Sequence, residues 1–93
     1  MRIAELIWDD SNVGHIARHK VTPHEVEDIC FSPHISVKSE HHKYVLSGQT
    51  QIGRYLNVVI ERVDKGIFRP ITAFEMSENY KRAYRKRMGK RDK

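Results

Sequence analysis

The spacing of apolar residues changes character along the chain. Ile3-Ala4-Glu5-Leu6-Ile7-Trp8 opens it as a short strand, and from there to Cys30 the apolar positions fall three and four apart. Asp9, Asp10 and Ser11 offer N-cap oxygens for a helix over 12–19, with Val13, Ile16 and Ala17 on one face. Thr22-Pro23-His24-Glu25 predicts a second helix start. Thr22 caps, Pro23 takes the first helical position, and Glu25 reaches back to complete a capping box. This helix carries Val26, Ile29 and Cys30 inward and ends before Pro33, because a residue preceding proline disfavours the α region.

From Ile35 onward the period falls to two. Residues 35–38, 43–49, 54–63 and 67–76 each read as strands. Gln51-Ile52-Gly53 and Asp64-Lys65-Gly66 are the turns between them, each with the glycine that hairpins favour. Leu56, Val58 and Ile60 share one face of the central strand, and Tyr55, Asn57, Val59 and Glu61 share the other. Ser77 caps a final helix to about Met88, where Gly89 can stop it. The expected fold class is α+β: an antiparallel twisted sheet with two N-terminal helices on one side and a C-terminal basic helix. One domain over 1–88 is expected, followed by a basic disordered tail at 89–93.

Charge adds an asymmetry to this picture. The net charge of +5 divides into −2 for residues 1–80 and +7 for residues 81–93. So concentrated a cationic stretch is the usual footprint for a polyanion or an acidic partner. No apolar run approaches the roughly 20 residues that span a bilayer. The opening residues also lack the pattern of a signal peptide. The lone cysteine, Cys30, reads as a small core residue, and a cytoplasmic location is expected.

The motifs exclude more than they include. There is no GxSxG, P-loop or dinucleotide fingerprint, and no CxxC or HExxH. His15 and His19 stand four apart on one helix but lack a third and fourth ligand, so no metal site is expected. A helix-turn-helix over 12–30 would present an acidic second helix, with Glu25, Glu27 and Asp28, to DNA. What remains is Lys20, Arg54, Arg62, Arg69, Glu61 and the basic tail. Cutting RNA through its own 2′-hydroxyl needs a base, an acid and fixed cations around the phosphorus, with no cofactor.

Taken in order, the motifs resemble the BrnT toxin family. Trp8-Asp9-Asp10, Asn12, His15-Ile16, His19-Lys20-Val21 and Glu25-Val26-Glu27-Asp28 resemble its N-terminal half. Gly48-Gln49-Thr50, Gly53-Arg54-Tyr55-Leu56 and Val58-Val59-Ile60 resemble its central hairpin. Arg69-Pro70-Ile71-Thr72-Ala73, Ser77 and Lys81-Arg82-Ala83-Tyr84 resemble its closing strand and basic helix. The resemblance spans roughly residues 5–85. It implies a RelE-like fold and a ribonuclease toxin of a type II toxin–antitoxin system that halts growth by cutting RNA. It also implies a ribbon-helix-helix antitoxin from a neighbouring gene, through which alone the toxin would meet operator DNA.

Carried over, the resemblance makes Lys20, Arg54, Lys81 and Arg82 RNA-facing, with Lys20 and Arg54 in the catalytic set, and Arg69 and Arg85 are expected as further RNA-binding cations. Glu61 is the general-base candidate and His19 its alternative. Two positions depart from the family pattern: Lys20 stands where glycine is usual, and Phe74 where an arginine commonly closes the last strand. The second departure sets an alternative beside the working ribonuclease, namely a catalytically weak or inactive relative that binds RNA or an antitoxin. A plain interaction module docking an acidic protein is the third reading. Phe74 is expected to point toward the RNA-binding face, where it can stack on an unpaired base or instead cover antitoxin-facing apolar surface.

Overall fold

The computed structural model of the chain describes residues 1–91. Strand β1 (Glu5–Leu6) leads into α1 (Asp10–Ala17) and α2 (Pro23–Cys30). The meander β2 (Ile35–Lys38), β3 (Lys43–Gln49), β4 (Tyr55–Asp64) and β5 (Ile67–Glu75) follows, and α3 (Glu78–Arg91) closes the chain. The sheet order is β1-β5-β4-β3-β2.

Both early helices start as their sequences dictate. Asp9 caps α1 and exchanges hydrogen bonds with Asn12, and Thr22 does the same with Glu25 at α2. The predicted meander forms with antiparallel pairing throughout. Gly53 (φ 97°) and Gly66 (φ 73°) hold the two turns in the left-handed region, where a Cβ is costly. The sheet is mixed, however, because β1 joins the edge of β5 in parallel at Ile67 and Phe68. A strand of two paired residues carries too little period to reveal its partner from sequence.

Leu46, Leu56, Val58, Ile60, Phe68 and Ala73 meet Ile16, Val21, Val26, Ile29 and Cys30 in the main core between the sheet and the first two helices. Within α1, Asn12 is buried and Ala17 exposed, so the inward face is rotated from the expected Val13–Ile16–Ala17 stripe. Asn12 is buried because its amide donates to the Ile7 carbonyl at 2.9 Å and the Pro70 carbonyl at 3.1 Å, tying α1 to β5. Burial pushes the Cys30 thiol up to about 12, with Glu27 adding to the effect, so it is a core residue and no nucleophile.

A second, smaller core lies on the other face. There Tyr84 and Met88 of α3 pack with Ile35, Tyr55 and Met76. The helix continues through Gly89 to Arg91 instead of stopping at Met88. Residues 89–91 of the expected tail therefore belong to α3, and Asp92 and Lys93 lie outside the described residues. Among the described residues no helix is long and apolar enough to cross a membrane.

Candidate nucleic-acid interface

The chain leaving α1 turns sharply at Lys20. The Lys20 N–H donates to the Ala17 carbonyl at 2.9 Å and the Val21 N–H to the Ile16 carbonyl at 3.1 Å, the two bonds of a Schellman motif. Lys20 itself is left-handed, with φ 60°. This is the position where glycine costs least, so a lysine there bears conformational strain of roughly 1 kcal/mol. Lys20→Gly is expected to stabilise the fold by about that much in urea unfolding, while removing a cation from the surface.

The turn is fastened from across the molecule. Arg54, at the entry to β4, donates from Nη1 to the Lys20 carbonyl at 2.7 Å and to both Glu25 oxygens at 2.9 and 2.8 Å. Its Nε lies 3.5 Å from the Glu75 carboxylate. Partial burial works to raise the Glu25 carboxyl, but the Arg54 guanidinium and the Thr22 N–H more than offset it and hold it low. Arg54 thus joins the α1–α2 turn, the start of α2 and the end of β5, and two carboxylates already compensate its charge.

Beside this fastening the exposed imidazole of His19 stands 6.3 Å from the Phe74 ring and 5.8 Å from that of His15. Phe74 is 38% exposed, and it pairs in register with Asn57, which pairs with Ser47. These side chains share the face opposite α1 and α2. Across it, the Ser47 hydroxyl donates to Asn57 Oδ1 at 2.6 Å and contacts the Tyr80 hydroxyl at 3.1 Å. Lys81 and Arg85 of α3 lie over the Tyr55 ring, at 5.3 and 5.5 Å from its centre. Lys81 also pairs with Glu78 at 3.2 Å, and Arg82 is exposed. Four sequence candidates, His19, Lys20, Arg54 and Phe74, therefore gather at one end of the sheet, with Lys81 and Arg85 on the adjoining helix.

Glu61 and Arg69 do not join them. Glu61 pairs in register with Lys43 on one side and Arg69 on the other. Seven residue steps along the strand put it roughly 23 Å from Arg54. Arg69 grips the Asp9 carboxylate with both guanidinium nitrogens, and with the Asn12 N–H this holds the Asp9 carboxyl down at about 2. His15 and Arg69 line a shallow cleft between α1 and β5. The sequence reading missed Glu75 as a counter-charge to Arg54, Asp9 as the holder of Arg69, and Tyr80 as a neighbour of the open face. Asp9 and Glu25 carried a signal only as helix caps.

The chain is similar in structure to the ribonuclease toxin BrnT of Brucella abortus, with a TM-score of 0.65 and 17% identity. The match covers 80% of this chain and 97% of that one. At that identity the likeness establishes the α+β fold, and it is a likeness to the same family whose motifs the chain resembles. No protein-family model matches the chain, and no curated protein matches it in sequence.

Proposed function

We propose that this protein is a toxin-type endoribonuclease that cuts single-stranded RNA held at the end of the sheet between the α1–α2 turn and α3. The observation that carries the reading is the convergence of His19, Lys20, Arg54 and Phe74, from three separate segments, at one end of a BrnT-like scaffold. His19 takes the general-base role for attack by the 2′-hydroxyl. Lys20 supplies a cation at the phosphate, and Phe74 stacks a base. Lys81, Arg82 and Arg85 attract the strand before any base is read. Glu61 and Arg69 serve the far end of the strand's path, as contacts outside the reacting atoms. As the 2′,3′-cyclic phosphate forms, the departing 5′-oxygen takes its proton from water, so the reaction draws on these side chains and solvent, without a metal or cofactor.

A neighbouring-gene antitoxin of the ribbon-helix-helix type is the proposed partner, bringing the toxin to operator DNA, and the compartment is the cytoplasm. Beyond Pro70, whose carbonyl accepts from Asn12, no strand among the described residues covers the outer edge of β5, which leaves backbone available for a donated strand. A specific observation favours a second reading, a slow or inactive relative. Arg54 is compensated by Glu25 and Glu75, and the family's closing arginine is replaced by Phe74. Induced expression decides between the two. Growth arrest with cellular RNA shortened within minutes is the expected result for a working toxin. Undisturbed growth at high levels of folded protein gives the slow relative.

A further inference from the structure

Far from this end, the chain builds a cationic cavity that the proposed reaction does not use. The backbone N–H groups of Ala4 and Glu5 both donate to the Gly66 carbonyl, at 2.8 and 3.1 Å, folding the N-terminal segment over the β4–β5 turn. The resulting cavity of about 550 Å³ is lined by Arg2, Arg62 and Lys65, with Tyr44 and Phe68 among its apolar walls. The two rings meet edge to face at 5.9 Å. No carboxylate lines it among the described residues, and none of its three cations forms an ion pair there. Asp64, in the turn itself, accepts the Lys65 backbone N–H at 2.7 Å and leaves the ammonium group unpaired.

Among the described residues, ion pairs take up only a few of the lysines and arginines, and the cavity is lined by three that they leave out. Arg54, Arg69 and Lys81 are each held by a carboxylate. Three cations converging without one make a site that an anion relieves, and their mutual repulsion falls when it binds. An aromatic and aliphatic floor gives inorganic phosphate nothing to contact, whereas a flat heterocycle gains from it. The cavity's size lies in the range that takes a small molecule.

We propose that this cavity binds one nucleotide unit, its phosphate on Arg62, Lys65 and Arg2 and its base against the half-buried Tyr44 ring, which the buried Phe68 backs edge to face. The nucleotide comes either free or as part of an RNA strand. Arg62 is eight residues from Arg54 along β4, roughly 26 Å, so the inference stands independently of the catalytic reading.

Calorimetric titration of the full chain with AMP, adenosine, inorganic phosphate and a single-stranded RNA hexamer tests it. AMP is expected to bind at least tenfold tighter than adenosine or phosphate. The double variant Arg62→Gln, Lys65→Gln, with its fold checked by circular dichroism, is expected to lose at least tenfold in AMP affinity. In the unaltered protein, AMP-induced amide shifts should centre on Tyr44, Arg62 and Lys65. A hexamer tighter than AMP, and weakened by the double variant, assigns the site to an RNA strand. A hexamer no tighter assigns it to the free nucleotide. If AMP binds no better than phosphate, or the amide shifts fall at the His19 end, or the folded double variant keeps full affinity, the proposal is wrong.

Discussion

His19→Ala is expected to lower single-turnover RNA cleavage by roughly two to four decades, the usual worth of a positioned general base. The same test applied to Glu61→Gln is expected to change the rate by less than about threefold, because this carboxylate lies about 23 Å along the strand from Arg54. The comparison is clean on the structural side. His19 is exposed and, among the described residues, its side chain makes ring contacts with His15 and Phe74 alone, so its removal should alter stability by no more than about 0.5 kcal/mol. His15 is close enough to substitute partly, and the double variant His15→Ala, His19→Ala should remove any activity remaining. A rate that falls with Glu61→Gln and survives His19→Ala moves the reaction to the Arg69 end.

The opposite sign is expected at Phe74. Its partly exposed side chain stands beside His19, where the phosphate of a bound strand would lie. Phe74→Arg places a guanidinium where negative charge builds in the transition state. Such a contact is worth roughly 3–4 kcal/mol, or two to three decades in rate. Its charge would remain available, because Glu75 points to the other face and is engaged by Arg54. Ground-state affinity should change much less, since the new phosphate contact replaces base stacking worth about 1–3 kcal/mol. Single-turnover cleavage and RNA affinity measured together separate the two effects. An unchanged or lower rate would show that position 74 does not face the phosphate.

Local rules carried most of the fold. The capping boxes at Asp9 and Thr22, the glycine turns at Gly53 and Gly66 and the alternation of Leu56, Val58 and Ile60 are each written within a few residues. What the sequence concealed is long-range pairing. The parallel contact of β1 with β5 joins positions more than 60 residues apart, and the Asn12 bridge to Pro70 joins positions 58 apart. The site shows the same division. The gathering of His19, Lys20 and Arg54 follows once the α1–α2 turn is placed on the start of β4. The compensation of Arg54 by Glu75 does not, because both residues read as solvated surface until β5 folds back beside β4. Glu61 is the only carboxylate of the central strand as read at 54–63, which marked it by type while its distance from the other groups stayed invisible.

The Arg54 fastening also dictates when the molecule can act. Its acceptors sit 34, 29 and 21 residues away along the chain, at Lys20, Glu25 and Glu75. The last of them arrives only with the final strand, which also brings Phe74. Contacts this far apart form after local ones, since the loops between them must close first. A chain emerging from the ribosome therefore has no assembled site while only its early helical segments and central hairpin have been made. The cell that makes this protein meets the assembled surface only after synthesis has passed residue 75. A partner already present at that moment can cover the surface as it forms.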